Sequence, residues 1–164
     1  MLLFIIFYIV VIPISVLLHE VGHAFGLIFV SKERPVVYLG PMDSSNKENF
    51  RIGRVHFHIK WAFSGFCGFK NENMTLTAPR QLLFSAGGPI ASLFIAVAAI
   101  GSTLFVHSSI SNHFVVGIAI WNSWMFLCTI IPIRYPAWWK PYNGRTSDGY
   151  RILESIKRMK TSAR

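Results

Sequence analysis

The sequence predicts a mainly α-helical membrane protein with about three transmembrane helices and a small membrane-associated β-hairpin or sheet between the first and second. Three observations carry that prediction. First, 52% of the residues are hydrophobic and only 14% are charged, where a soluble domain carries about 25% charged residues. Second, three apolar segments, at 2–30, 82–106 and 114–133, reach the roughly 20 residues a helix needs to cross a ~30 Å hydrocarbon core. Third, no Lys or Arg precedes Lys32, and the 16 present fall within 32–80 and 134–164, with none in 81–133. Basic loops alternating with uncharged spans follow the positive-inside rule. A net charge of +9 arranged in this way points to a lipid bilayer, and no nucleic-acid partner is expected.

The 164 residues make one domain. Segment 2–30 would be about 45 Å long as a helix, so it must tilt, bend or emerge; Pro13 is the expected bend. It lacks the basic start and small-residue cleavage site of a secretory signal and is read as a retained span. A β-rich loop is expected over about 35–70. Within it "RVHFHIKWAFS" alternates: Val55, Phe57, Ile59, Trp61 and Phe63 share one face, while Arg54, His56, His58 and Lys60 share the other. A second strand is expected before the turn "DSSNKEN". His56 and His58 are read as solvated, and His107 and His113 flank a short outer connection at 108–113. The tail "SDGYRILESIKRMK" predicts a cytoplasmic helix over about 148–160, capped by Ser147 or Asp148, with Ile152, Leu153 and Ile156 inward. The charge pattern puts the N-terminus and 108–113 outside, and the long loop and C-terminus in the cytoplasm. Cys67 and Cys128 are too far apart for a CxxC pair and are expected to be reduced, structural thiols.

The first span contains His19-Glu20-Val21-Gly22-His23, an HExxH motif. Residues i and i+4 of a helix share a face, so both imidazoles can reach one metal, with Glu20 beside it as a proton carrier. Ionisable groups in hydrocarbon cost about 2.5–3.5 kcal/mol each even on lenient scales, so their presence needs a reason, and pairing through a metal supplies one. Two histidines leave a tetrahedral site short of a ligand. The acids outside the motif are Glu33, Asp43, Glu48, Glu72, Asp148 and Glu154. Asp148 stands out because it follows the third span on the same expected side as His19 and His23, although a simple helix cap is the competing role. In "SAGGPIASL", Gly87 and Gly88 precede Pro89 and permit either close helix packing or a locally opened backbone.

HExxH on a membrane helix, a Gly-Pro element in the next span and an Asp-Gly element after a third resemble the site-2 proteases, polytopic zinc metalloproteases that cut membrane-associated substrates. The resemblance covers most of the chain and corresponds to a compact three-span core. It implies one Zn2+ per chain held by His19, His23 and Asp148, with Glu20 as catalytic acid/base. It also implies an integral protein of a bacterial plasma membrane with its site nearer the cytoplasm. The expected partners are the lipid bilayer, a membrane-associated protein or peptide substrate, and a separate regulatory membrane protein. The sequence departs from the family where Asn-x-x-Pro is usual: Thr129 stands in the Asn position of "TIIP". Asn122 and Asn143 are then the alternative candidates for oxyanion or substrate contact. The insertion "RYPAWWKPYNGRTS" separates Pro132 from Asp148, and its Trp138, Trp139, Tyr142 and Lys140 suit a membrane interface.

Two other functions compete with the peptidase. One is a different membrane zincin with Glu154 as third ligand. The other is a non-catalytic metal-binding adaptor or immunity protein.

Overall fold

The computed structural model describes residues 2–70 and 75–162; Glu72 lies outside the described residues. Among the described residues there are five α-helical segments and a small four-stranded sheet that packs on the second of them. Three helical stretches, Phe4–Val30, Ala78–Ser102 and Ser109–Ile130, are long and apolar enough to cross a membrane. Their outward residues include Phe25, Phe29, Phe94, Val97, Ile120 and Trp124, all exposed. Large apolar side chains turned outward all along the helices suit hydrocarbon surroundings better than water.

The first stretch comprises α1 (Leu2–Ile6), a π-helical segment (Phe7–Val11) and α2 (Ile12–Val30). The π segment comes just before Pro13. Proline cannot donate to the carbonyl four residues back and crowds it, so a widened turn relieves the conflict. That carbonyl belongs to Ile9, and the Trp61 indole donates to it at 2.8 Å.

The sheet consists of β1 (Pro35–Leu39), β2 (Phe50–Ile52), β3 (Val55–Ile59) and β4 (Gly65–Phe69), in the order β2-β3-β1-β4. β2 and β3 form an antiparallel hairpin around Gly53, whose φ is +58°. β1 pairs parallel with β3 and antiparallel with β4. Val37, Val55 and Phe57 pack with Ala24 of α2, flanked by Leu17, Val21 and Ile28, which anchors the sheet to the motif helix. Arg54 fastens the hairpin to the same helix by donating to the carbonyls of Ile28 and Ser31 at 3.0 and 2.7 Å, groups that a helix C-terminus leaves without partners.

Several expectations are corrected here. "RVHFHIKWAFS" is not one strand: it leaves the sheet after Ile59. Trp61 goes to Ile9 and the Phe63 ring packs tilted against Tyr8 with centroids 4.7 Å apart, so both join the N-terminal helix rather than the inner face. His56 and His58 are not a free, solvated pair: the first is buried, the second half-buried. His56 is buried against Glu48 at 2.9 Å, and His58 Nδ1 donates to the Asn46 carbonyl at 2.7 Å. The second apolar segment forms α3 (Ala78–Ser102), about one turn earlier than 82–106. Pro79 is favoured in a first turn, and the Ser102 and Thr103 hydroxyls take the carbonyls of Ala99 and Ile100 at the end. The third forms α4 (Ser109–Ile130), so the connection is 103–108 instead of 108–113. Ile131 is extended because Pro132 follows it. In α5 (Asp148–Ser162), Leu153 is exposed; the buried positions are Gly149 and Ser155, with Ile152 and Ile156 half-buried.

Candidate metal centre

The three proposed ligands come from two elements that must meet. His19 and His23 lie one helical turn apart on the buried face of α2. Asp148 opens α5, and reaching the histidines requires the chain to return to the end of α4. A closed loop neck brings it there. The Ser147 hydroxyl donates to the Ile131 carbonyl at 2.6 Å and accepts from the Ile133 and Tyr150 amides, while Arg134 bridges Thr146. Ser147 thus caps α5 and ties its start to the end of α4, and Asp148 is left free to act elsewhere. Gly149 makes the approach possible: a methyl group there would run into the Ile130 carbonyl and lie 3.1 Å from its Cα.

Asp148 Oδ2 consequently lies 3.3 Å from His19 Nε2 and 3.4 Å from His23 Nε2. The His19–His23–Asp148 cluster could hold a metal ion. Burial alone would raise the Asp148 carboxyl, but His23 and His19 beside it hold it below the usual carboxylate range.

The far sides of both rings are anchored by α3. His19 Nδ1 meets the Ser92 hydroxyl at 2.8 Å, and His23 Nδ1 meets the Phe84 carbonyl at 2.8 Å. A carbonyl only accepts, so His23 Nδ1 carries the hydrogen and its neutral form presents a bare Nε2 lone pair. The Gly88 amide approaches the same Nδ1 at 3.3 Å, and this is the lesser contact. The Gly-Gly-Pro element acts by closeness, and α3 stays helical through it. Gly87 abuts Gly22, and a Cβ on Gly88 would lie 2.6 Å from His19 Nε2 and closer to His23 Nε2.

Glu20 is buried and makes no hydrogen bond or ion pair among the described residues. Its carboxylate faces a chamber of about 310 Å³ whose walls include Trp121, Met125, Thr129 and Tyr135. Gly65, the first residue of β4, sits against Glu20; a Cβ there would be 2.6 Å from Glu20 Cγ. β4 is an edge strand. The insertion folds over it. The Gly65 amide donates to Tyr142 Oη at 3.4 Å, and the Arg145 guanidinium stacks 4.6 Å from the Phe66 ring centre. Burial pushes the Tyr135 phenol up to about 12 and raises the Cys67 thiol, so neither ionises near neutrality.

The remaining candidates fare differently. Thr129 lines the chamber but donates its hydroxyl back to the helix carbonyls of Met125 and Phe126. Asn122 is fully buried between helices, donating to Ser15 Oγ and the Ile118 carbonyl, and does not line the chamber. Asn143 is exposed and also outside it. Glu154 is ion-paired with Arg158 at 2.6 Å, away from the histidines. Sequence reasoning missed Ser92 and the Phe84 carbonyl. A hydroxyl in an apolar span is a signal for the first, whereas a main-chain carbonyl leaves none. No family model, curated protein or solved structure matches the chain.

Proposed function

We propose that the protein is an intramembrane zinc endopeptidase that hydrolyses peptide bonds in or near membrane segments of a regulatory protein or small peptide precursor. The observation that carries the reading is the convergence of His19, His23 and Asp148 beside an unpartnered Glu20. The cluster fits zinc. Tetrahedral bonds of about 2.0–2.1 Å put neighbouring ligand atoms roughly 3.3–3.4 Å apart, which matches the separations of Asp148 from the two imidazoles. A carboxylate oxygen this close to two imidazole nitrogens needs a proton or a cation between them, and one metal ion would serve both imidazoles at once.

When bound, zinc supplies a Lewis acid that acidifies water and polarises a carbonyl. Ser92 and the Phe84 carbonyl orient the imidazoles. Glu20 takes a proton from the attacking water as its oxygen bonds to the peptide carbon, then delivers that proton to the amine nitrogen as the C–N bond breaks. The aromatic and aliphatic part of the chamber wall, Trp121, Met125 and Phe66 among it, lowers the polarity around the reacting bond. An unwound substrate segment would pair with the edge of β4 next to Glu20, displacing the Tyr142 contact. In this reading the three long helices span a bacterial plasma membrane, with the sheet, α5 and the metal end toward the cytoplasm.

Thr129 favours a second reading, a non-catalytic metal-binding membrane protein, because its hydroxyl is spent within α4. One experiment separates the two. The protein is purified in detergent, its zinc content is measured, and wild type is compared with Glu20→Gln on a membrane-anchored test substrate. Cleavage lost in Glu20→Gln at unchanged zinc content supports the peptidase. Equal behaviour of both proteins toward that substrate, at full zinc occupancy, removes it.

A further inference from the structure

We infer that a second chamber, next to the metal cluster, is a carboxylate-binding subsite whose anchor is Arg151. The inference rests on the peptidase reading and specifies what the substrate must carry.

The second chamber has a volume of about 270 Å³ and is walled by Gln81, Ser155 and Arg158. It shares Cys67, Phe84, Thr146 and Arg151 with the metal chamber, so the two adjoin. Arg151 stands three residues after Asp148 on α5, on nearly the same side of the helix. Its Nε donates to Thr146 Oγ1 at 3.3 Å, which steadies the half-buried guanidinium in the partition.

The remaining guanidinium donors meet no carboxylate among the described residues. The other arginines nearby are already engaged: Arg158 with Glu154, and Arg145 with the Phe66 ring. None of the acids nearby is ion-paired with Arg151. Glu154, which also lines the second chamber, has Arg158; Asp148 faces the two histidines; and Glu20, which lines the metal chamber with Arg151, forms no ion pair with it. A planar fork of donors, half-buried and in direct contact with no carboxylate among the described residues, is built to hold a carboxylate through two parallel hydrogen bonds. A peptide lying along β4, which contributes Cys67 to both chambers, would pass from one into the other. The carboxylate is either an acidic side chain near the scissile bond or the free C-terminus of a short peptide.

The test uses zinc-loaded Glu20→Gln protein in detergent, so that nothing is turned over. One short apolar peptide is prepared in three versions: an internal Asp with an amidated end, an internal Asn with a free carboxyl end, and an internal Asn with an amidated end. Binding is read from the fluorescence of the chamber tryptophans Trp121, Trp124 and Trp139. One carboxylate-bearing version is expected to bind at least about tenfold tighter than the neutral one, and which one it is identifies the source. Adding Arg151→Gln should abolish the preference, and Arg151→Lys should keep part of it. Lys157→Gln, which removes an exposed charge from the same helix, should leave it intact. Equal binding of all three versions overturns the proposal without any change at Arg151. A preference that survives Arg151→Gln also overturns it, because the carboxylate would then be held by the metal. Failure of wild type to cleave any version of the peptide would count against the peptidase reading alone, since the binding preference is measured separately.

Discussion

Replacing Gly88 with Ala sets helix propensity against the candidate metal site. In a helix interior Ala is favoured over Gly by about 1 kcal/mol, so α3 alone should gain. The added methyl would lie 2.6 Å from His19 Nε2 and from His23 Cε1, where ordinary contact begins near 3.4 Å. At least one imidazole must therefore retreat by about 0.8 Å, well beyond the ±0.2 Å that metal–ligand distances tolerate. Backbone relief is blocked, because Gly87 next to it already abuts Gly22 of α2. Zinc affinity should fall at least about a hundredfold, measured by competition with a chromophoric chelator. Gly101→Ala, in the same helix with open space around it, should leave affinity unchanged and thermal stability equal or slightly higher. Unaltered zinc affinity in Gly88→Ala would refute the claim that Gly88 presses on the ligand nitrogens.

Other outcomes follow from the same geometry. Ser92→Ala removes the partner of His19 Nδ1 and should weaken zinc binding about 10–100-fold while the helical circular dichroism stays the same; unchanged affinity would make Ser92 a packing residue. Gly149→Ala should lift α5 off the end of α4, lowering both metal occupancy, read by elemental analysis, and the unfolding temperature. Full occupancy would mean that α5 docks in another way. Hydrogen bonds from Arg51 and then His56 hold Glu48 down to about 2 from an ordinary 4.5. That cluster should contribute its full stability above about pH 4.5 and lose it as the pH falls towards 2, and Glu48→Gln should flatten thermal unfolding across that window. A variant that keeps the wild-type slope would exclude the cluster as its source.

Much of the site was legible before folding because its chemistry is local. His19 and His23 share a helix face by periodicity alone, and their cost in an apolar span demands a partner. Asp148 could be singled out because acids are few. The spans were legible from hydropathy, but their ends moved by several residues where Pro79, Pro132 and terminal hydroxyls override the apolar count. The sheet was only half legible. Alternation marks β3, yet period two continues through Trp61 and Phe63 after the chain has left the sheet. The parallel pairing of β1 with β3 is a long-range event that no local pattern encodes.

The sequence alone determined which groups could bind a metal and that the two histidines would lie on a long apolar helix, because ligand type, helical spacing and hydrophobic length are properties of short stretches. Only the tertiary structure decided that the groups meet. Asp148 comes within 3.3 Å of His19 because Ser147 closes a loop neck and Gly149 lets α5 rest on the Ile130 carbonyl. The imidazoles point correctly because a hydroxyl and a carbonyl of α3 hold their far nitrogens. Contacts between residues 61–129 positions apart depend on how the helices pack, and packing is a property of the whole chain.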